Sequence, residues 1–463
     1  MKNNLLACYF VPHPPLIVPD IGKGEEQKII KTIEAYQEVA KEIAVLKPDT
    51  ILFVSPHALT YADYFHIEKN QSSDGSFADF GAPNLTFEVH NDKGLVTQIE
   101  TLAKRMNIMA GTAGRQNNRL DHGIMVPLYF INQHYQNFQS VRLSFSGLSN
   151  LEHYNYGKVI QEVIFNNPDK KYVLIASGDL SHMLKDEGPY GFAEEGPLFD
   201  QKICTTLASG SFLDLFTMDP SIIEGAGECG FRSLLILAGL LDRLAIIPKL
   251  LSYEGPFGVG YAVASYKIKE EDMLRDFGEQ GAKKETEHLQ KTKLHEDAYT
   301  SLARKALETY VLTGKTISDE EANGELKGVR AGVFVSLKKN GSLRGCIGTT
   351  GPTTDCVAQE IIQNAISSGT GDPRFDPVQK EELPYLVYSV DVLKKAERIS
   401  SLAELDVKKY GVIVRYRGRS GLLLPNLEGV NTVNEQLKIV LQKAGIDSDE
   451  PYSLERFEVV RHK

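Results

Sequence analysis

Continuous apolar runs alternate with amphipathic stretches through the first part of the chain. The runs LLACYFV, TILFV and YVLIAS carry almost no polar residue, which favours strands buried on both faces, as in a parallel sheet covered by helices. Between the first two runs, apolar residues return at helical spacing and form one stripe of Ile29, Ile33, Tyr36, Ala40 and Ile43. The order strand, helix, strand predicts a βαβ unit.

The same alternation continues further along the chain. The stretches GLVTQIETLAKRM, GKVIQEVIF and CGFRSLLILAGLLDRL predict helices, and SVRLSFSG and FGVGYAVASYKI predict strands. Residues 1–267 are therefore predicted to form an α/β domain with a mainly parallel central sheet flanked by helices. Residues 268–294 are dense in charge and poor in aliphatic side chains, which is typical of an exposed linker or linking helix.

A second, smaller domain is predicted over residues 295–463. At 463 residues the chain exceeds the size at which a single core usually keeps growing. The stretch AYTSLARKALETYVLTG predicts a helix, and RAGVFVSLKKNGSLRGCIGT predicts a hairpin that turns at Asn340 and Gly341. These elements indicate an α+β domain.

Composition and charge argue against several classes of function. Lys and Arg total 51 against 61 Asp and Glu, and the net charge of −10 argues against a general nucleic-acid binder. No apolar run approaches the roughly 20 residues needed to cross a membrane. Prolines interrupt the N-terminal run where a signal peptide would continue. The 5 scattered cysteines fit reduced thiols. We expect a cytoplasmic protein that binds neither nucleic acid nor membranes.

Three histidines directly follow predicted buried strands. His13, His57 and His182 each stand just past the carboxyl end of a strand, and in a parallel sheet those ends share the edge where ligands bind. Prolines beside His13 and His57 hold each loop extended. A single histidine here would be better explained as a strand cap that hydrogen-bonds a loop carbonyl. Three at equivalent positions favour a site in which His13 and His57 are metal ligands.

A third ligand is expected in the stretch EGAGECGFRSLL. Glu228 stands at the start of an apolar helix, four residues after Glu224. Two histidines and one carboxylate on one face of an iron leave three positions for dioxygen and a chelating substrate. Cys229 is a soft alternative ligand. Glu228 is also favoured at a helix start by the macrodipole alone, without any metal.

Two further histidines have candidate roles. His182 would be a base that binds no metal and takes a proton from a phenolic hydroxyl, because imidazole titrates near neutrality. His122 follows Asp121 at the start of another apolar helix. His122 is expected either to hydrogen-bond oxygen or substrate, with Asp121 beside it, or to cap the helix.

These motifs carry a family resemblance. Together VPHPPLIVP, VSPHAL, LDHGIMVPL and ASGDLSHML resemble the class III extradiol ring-cleavage dioxygenases, the LigB-like family, and the related Memo proteins, over roughly residues 5–268. The resemblance implies ferrous iron on His13, His57 and Glu228. It also implies that His182 is the acid/base and that His122 is a hydrogen-bond donor on the substrate side. Memo-like relatives have a cysteine in the third-ligand region, and the sequence ECG offers both choices.

The second domain contains a candidate thiol site. Cys346 stands between Gly345 and Ile347, with Arg344 nearby, and a neighbouring cation lowers a thiol pKa. The loop SSGTGDPRFDPV adds Asp372 and Arg374. A structural cysteine in a tight turn fits the pattern equally well. A cysteine-hydrolase mechanism has little support, because no base histidine accompanies the thiol.

LRGCIGT followed by GDPRF resembles the AMMECR family over roughly residues 295–460. The pairing of this domain with a Memo/LigB-like domain resembles the AmmeMemoRadiSam system, here fused in one chain. That resemblance implies a radical SAM protein as a partner.

Two functions follow from these expectations. The first is a non-haem iron(II) dioxygenase that opens the ring of a small catecholic or aminophenolic substrate with dioxygen. The second is a metal-binding accessory or scaffold protein of a radical SAM-linked modification system, without ring cleavage. Fe(II) is the expected cofactor, with zinc or another divalent metal as the alternative. An open coordination face and a pocket wide enough for an aromatic ring would favour the enzyme.

Overall fold

The computed structural model describes residues 4–339, 342–426, 430 and 432–463 and divides the chain into two units, residues 1–285 and 286–463. The strands of the first unit are β1 (Leu5–Val11), β2 (Thr50–Val54), β3 (Phe65–His66), β4 (Ser72–Phe77), β5 (Ala82–His90), β6 (Ala110–Gly111), β7 (Gln139–Leu143), β8 (Tyr172–Ser177), β9 (Leu244–Glu254) and β10 (Tyr261–Glu271). Its helices are α1 (Pro19–Gly22), α2 (Ile30–Leu46), α3 (Lys93–Arg105), α4 (His122–Ile131), α5 (Asn150–Phe165), α6 (Glu195–Ser209), α7 (Pro220–Ala226) and α8 (Phe231–Leu240).

A six-stranded sheet in the order β7-β2-β8-β1-β10-β9 forms the centre of the first unit. Strands β7, β2, β8 and β1 run parallel to one another, whereas β10 is antiparallel to β1 and β9 is antiparallel to β10. The mainly parallel sheet expected from the continuous apolar runs is confirmed. The parallel strands bring their carboxyl ends to one edge.

Helices cover both faces of this sheet, so its strands are buried on both sides. Along β1, Cys8 and Phe10 join the core beneath α3, α5 and α8. Ala7, Tyr9 and Val11 join the core beneath α2 and α4. This alternation explains why the strand sequence is apolar at nearly every position.

Several elements of the first unit are not predicted by the sequence pattern, among them β9 and the hairpin of β4 and β5. Strand β9 contains Pro248 and lies at the end of the sheet order, and an edge strand tolerates a proline because it leaves one side of its backbone unpaired. Strands β4 and β5 form a polar hairpin inside the long connection that follows β2. Residues 78–80 between them form a short 3-10 helix.

The second unit combines helices with two four-stranded antiparallel sheets, β12-β11-β13-β18 and β14-β17-β15-β16. Its elements are α10 (Ala298–Thr313), α11 (Gly324–Lys327), β11 (Val333–Lys339), β12 (Ser342–Gly348), α12 (Val357–Thr370), β13 (Leu386–Leu393), β14 (Glu397–Ile399), β15 (Gly411–Tyr416), β16 (Arg419–Leu423), α13 (Val433–Ala444), β17 (Ser453–Phe457) and β18 (Val459–His462). Helices α10 and α12 pack on β11 and β13. The predicted hairpin is present as β11 and β12; its proposed turn, Asn340–Gly341, lies outside the described residues.

The charge-rich stretch predicted as a linker begins within β10 and continues into helix α9 (Phe277–His295). The boundary between the two units falls inside this helix. Of the helices that the structure describes, none combines the length and the apolar character required to span a membrane.

Candidate metal and active site

Three of the predicted site histidines lie at the carboxyl edge of the parallel strands. His13 follows β1, His57 follows β2 and His182 follows β8. The ring nitrogens Nε2 of His13 and His57 are 3.0 Å apart. The ring of His122, the first residue of α4, lies 4.0 Å from the ring of His57 and 5.3 Å from that of His13 between centroids. The structure thus gathers His13, His57 and His122 into one cluster.

His13 is held in place from three directions. Its backbone N–H donates to Asp179 Oδ1 at 2.8 Å, and its ring Nδ1 hydrogen-bonds Ser177 Oγ at 2.9 Å. The phenol of Tyr36 donates to the carbonyl of Pro12, the residue before it. A proton on Nδ1 satisfies the contact with Ser177 and leaves the lone pair of Nε2 facing His57. The ring of His13 is therefore fixed in one orientation, with Nε2 facing His57.

Asp121 supports the neighbouring histidine. Its Oδ1 accepts the hydroxyl of Ser55 at 2.6 Å, and Ser55 Oγ accepts the backbone N–H of His57 at 3.2 Å. The other carboxylate oxygen, Oδ2, is buried and has no hydrogen-bond partner among the described residues. A buried carboxylate oxygen without a partner is costly, and a proton donor or a cation beside it would remove that cost.

Cys229, and not Glu228, reaches His13. Cys229 Sγ lies 3.6 Å from His13 Nε2 and accepts the backbone N–H of Asp179 at 3.2 Å. His13, Asp179 and Cys229 form a second group of mutually close ligand atoms. Glu228 belongs to neither group, and its Oε2 accepts the backbone N–H of Phe231 at 2.6 Å. The Glu228 side chain thus caps the first turn of α8, which was the alternative to ligation.

Two glycines allow Cys229 to come this close. A Cβ on Gly178, just past β8, would lie 2.1 Å from Gly230 Cα, and a Cβ on Gly230 would lie 2.9 Å from the carbonyl oxygen of Asp179. The loop after β8 and the turn before α8 therefore touch backbone to backbone. Only glycine permits that approach.

Burial keeps the imidazoles neutral. Burial lowers the pKa of His13, and its neighbours His57, His122 and His182 lower it further. Burial also lowers the pKa of His57, against the charge of Asp121, which raises it. The pKa of His122 falls to about 4, through burial and then through His57. At neutral pH these rings are uncharged and offer lone pairs, which is the form that binds metals.

Burial raises the pKa values of the acidic groups near the histidines. Burial raises the pKa of Asp179 to about 7, although the N–H of His13 acts against this. Burial likewise raises the pKa of Glu228 to about 7, partly offset by the N–H of Phe231. The pKa of Cys229 lies well above its usual value because of burial and the nearby Asp179. Burial in a medium of low dielectric constant destabilises these anions, and a bound cation would offset that cost. The donor set therefore fits a divalent metal.

His182 stands at the same edge but outside both ligand groups. Its backbone N–H donates to the carbonyl of Ala226 at 3.0 Å. Its ring stacks on Tyr190 at 5.1 Å between centroids. Burial, and then His57, lowers its pKa, so the ring is a neutral base at pH 7. Phe80 contacts the ring of His122, with 5.4 Å between the ring centroids.

Sequence reasoning missed several side chains that shape this site, among them Ser177, Asp179, Phe80 and Tyr190. The first two lie in the motif ASGDLSHML, where the spacing of Asp179 three residues before His182 was a visible signal. Phe80 reaches His122 from the β4–β5 connection, and Tyr190 reaches His182 from a loop. No local pattern points to either aromatic residue, because tertiary structure alone brings them to the histidines.

Three of the residues predicted as a site in the second unit, Cys346, Asp372 and Arg374, are joined by hydrogen bonds. Cys346 N–H donates to Asp372 Oδ2 at 2.9 Å, and Arg374 binds both carboxylate oxygens of Asp372 and the carbonyl of Cys346. These contacts hold the pKa of Asp372 well below its usual range. Arg344 instead pairs with Glu382 through two hydrogen bonds of 3.0 Å. Both arginines are occupied in binding carboxylates, and a functional thiol at Cys346 stays a prediction.

Comparison with known families agrees with this architecture. Residues 7–264 match the family described as the catalytic LigB subunit of aromatic ring-opening dioxygenase, and residues 300–462 match the AMMECR1 family. The chain belongs to the LigB family and carries an AMMECR1 domain after it.

Similar proteins occur in bacteria and archaea. The chain is 43% identical to protein CA_C1420 of Clostridium acetobutylicum, over 99% of each chain. A Thermotoga maritima protein is 50% identical over 36% of this chain and 98% of its own. Among solved structures, an uncharacterized protein, PH0010, from Pyrococcus horikoshii is 34% identical over 35% of this chain and 88% of its own, with a TM-score of 0.33.

Proposed function

We propose that the protein is a non-haem iron(II) dioxygenase of the extradiol type, which opens the ring of a catecholic or aminophenolic substrate. The observation that carries the proposal is the pair of neutral imidazoles, His13 and His57, whose Nε2 atoms converge at 3.0 Å on the ligand-binding edge of a parallel sheet. Membership of the LigB family supports the same chemistry.

His13 and His57 are the proposed ligands. For the third ligand, the 3.6 Å separation of Cys229 Sγ from His13 Nε2 supports Cys229 over Glu228, whose carboxylate is engaged by Phe231. Ser177 and Asp179 hold His13 by hydrogen bonds, and Asp121 holds the loop of His57 through Ser55. Bound by these residues, iron(II) would act as a Lewis acid towards the substrate oxygens and as an electron donor to dioxygen.

His182 and His122 are the proposed proton-handling residues. His182 is neutral at pH 7, so its ring accepts the proton of a phenolic hydroxyl and later returns it. His122 has a pKa of about 4, so it acts as a neutral hydrogen-bond donor towards substrate or oxygen. Phe80 and Tyr190 pack against these two rings and offer flat apolar walls to an aromatic substrate.

Oxygen consumption tests the proposal. Full-length protein, loaded with iron without air, is mixed with a panel of air-saturated catechols and aminophenols, and ring-opened product is followed by absorbance. We expect activity in wild type and in His134→Ala, because His134 is exposed and bonded to Gln37. His13→Ala should be inactive. Protein that holds its metal yet consumes no oxygen with any substrate would overturn the proposal.

One observation favours a second candidate function, a metal-binding accessory module for a radical SAM protein. A cysteine beside His13 makes the donor set softer than two histidines and a carboxylate, and thiolate ligands suit zinc and other soft metals. In that case the site binds zinc or another divalent ion, and the AMMECR1 domain binds the partner protein. The oxygen assay separates the two candidates.

A further inference from the structure

Cys346 of β12 lies on the face of its sheet opposite helices α10 and α12. Val335 and Leu337 of β11 join the core beneath these helices, so Ser336 between them points to the other face. Ser336 pairs with Cys346 in the β11–β12 register and donates its hydroxyl to the sulfur at 3.2 Å. Cys346 is half-buried, whereas Cys356 belongs to the core under the helices. The Cys346 thiol therefore lies outside that core.

Two ion pairs of this unit are each oriented with the carboxylate buried and the guanidinium outward. Arg374, which also donates to the carbonyl of Cys346 at 3.1 Å, has a side chain that is 54% exposed, against 2% for its partner Asp372. Arg461 of β18 binds Asp391 of β13 through hydrogen bonds of 2.7 and 2.9 Å, and their side chains are 31% and 4% exposed. Both pairs thus present their positive ends to solvent.

Both guanidinium groups are close enough to the Cys346 sulfur to interact with its charge. Asp372 is the main cause that raises the pKa of Arg374, and Cys346 adds to the rise. Asp391 in the same way raises the pKa of Arg461, and Cys346 again adds to it. The two arginines come from different segments of the chain, a loop and a strand. They therefore flank the sulfur with positive charge.

The strand of Cys346 adds further positive charge. Arg344 lies two residues before Cys346, so it is on the same face of β12. It pairs with Glu382 at 3.0 Å, and Lys339 pairs with the same Glu382 at 3.1 Å. Two cations here share one carboxylate. The surroundings of the thiol thus favour the approach of a negatively charged reagent.

We propose that Cys346 is a modification site that forms mixed disulfides with low-molecular-weight disulfides carrying carboxylates. Its thiolate, after losing the proton to water, attacks one sulfur of the reagent. The S–S bond of the reagent breaks, a bond forms between that sulfur and Cys346 Sγ, and the other half leaves as a thiolate that takes up a proton. Cys346 is oxidised and the departing half is reduced, and excess thiol reverses the step. This inference is independent of the proposed ring cleavage.

Disulfides of opposite charge test the inference. Reduced full-length protein is treated near neutral pH and at low salt with glutathione disulfide, which is anionic, or with cystamine, which is cationic. Acid quenching and peptide mapping by mass spectrometry give a rate constant for each cysteine. With glutathione disulfide, Cys346 should react at least about 10-fold faster than Cys204, because burial raises the pKa of Cys204 to about 12. Cys346→Ser should lose the fast adduct.

The charge preference of Cys346 is the ratio of its rate constants with glutathione disulfide and cystamine, relative to the same ratio in urea-unfolded protein. Wild type should prefer the anionic reagent. Arg374→Gln and Arg461→Gln keep a donor towards the buried carboxylates, and each should lower the preference by about 2- to 5-fold, the effect of one exposed charge. Arg398→Gln, at an exposed arginine of β14 in the other sheet, should leave it unchanged. Salt at about 1 M should abolish it by screening.

Cys346 that reacts no faster than Cys204, or that shows no preference for the anionic disulfide, would overturn the inference. A preference that neither arginine substitution nor salt reduces would overturn it as well, because its source would then lie elsewhere. The salt series uses wild-type protein alone, so it decides the question even where a substitution prevents folding, which circular dichroism reveals.

Discussion

Cys229 and Glu228 are neighbours in the chain, yet their side chains have different surroundings. The sulfur of Cys229 faces His13 Nε2, whereas the carboxylate of Glu228 turns back onto the N–H of Phe231. The sequence offered both as ligands, because a stretch such as ECG does not encode which side chain turns inward. His13, His57 and His182, by contrast, could be predicted because each directly follows a continuous apolar strand.

Replacing each proposed ligand should separate the two residues. His13→Ala, His57→Ala and Cys229→Ala should each weaken metal binding by at least about 10-fold, because each removes a donor atom that converges on one point. Glu228→Gln should bind metal as wild type does, because the amide oxygen still accepts the N–H of Phe231. Metal content after anaerobic loading and competition with a chelator measures this. Cys204→Ala is the matched control. Metal lost in Glu228→Gln and kept in Cys229→Ala would reverse the assignment.

A second prediction at the residue scale concerns Asp200 of α6. Its carboxylate accepts the N–H of Ser181 at 2.7 Å and the phenol of Tyr253 at 2.7 Å. Burial raises its pKa to about 6 from 3.8, against these hydrogen bonds. The folded state therefore holds a proton that the unfolded chain has lost, and stability falls as pH rises from about 4 to about 6.

Asp200→Asn removes that titration. Between pH 4.5 and 7.5 the metal-free wild type should lose about 2 kcal/mol of unfolding free energy relative to the variant, as calculated from the two pKa values. Urea unfolding of both proteins at the two pH values measures the difference. A difference between the proteins that does not change with pH would show that Asp200 ionises normally in the folded state.

At the scale of elements, the site depends on how closely the loop after β8 approaches the turn before α8. The apolar runs predicted β1, β2, β8 and α8. A strand buried on both faces has a continuous apolar run and a helix has apolar residues at helical spacing, and both patterns can be recognised in the local sequence. The contact between Gly178 and Gly230 joins segments distant in the chain, and no periodicity reveals it. The same holds for the β4–β5 hairpin that brings Phe80 to His122.

Gly178→Ala should test that contact. The new methyl group would overlap Gly230 Cα and push Cys229 away from His13, so metal affinity should fall by at least about 10-fold even where the protein folds. Circular dichroism checks the fold and chelator competition measures the affinity. Gly94→Ala in α3 is the control, because its Cβ meets nothing closer than 3.4 Å. Unchanged metal affinity in a folded Gly178→Ala protein would show that Cys229 does not contribute to metal binding.

At the scale of the whole molecule, the proposed metal ligands all belong to the first unit, residues 1–285. The change in composition near residue 268 predicted two domains, and the described structure divides within α9. The role of the second unit could not be predicted from the sequence in the same way, because the charged side chains near Cys346, such as Asp372 and Arg374, pair with one another.

Limited proteolysis tests the domain organisation. Cleavage should begin within residues 268–294, where α9 is rich in charged side chains and poor in buried apolar ones. Two folded fragments should result, and the N-terminal one should bind metal with the stoichiometry of the full chain. Mass spectrometry of the fragments and metal analysis give the answer. First cuts within residues 1–260, or a fragment that binds no metal, would contradict this division.

The central claim is that a metal held by His13 and His57 works with His182 to open an aromatic ring. The most direct measurement records oxygen consumed, ring-opened product formed and iron bound in the same sample of full-length protein. Wild type should form one product per oxygen, and His182→Ala should keep its iron while turnover falls by about 100- to 10,000-fold, because only proton transfer is removed. Oxygen consumed without ring-opened product, or full turnover in His182→Ala, would contradict the account.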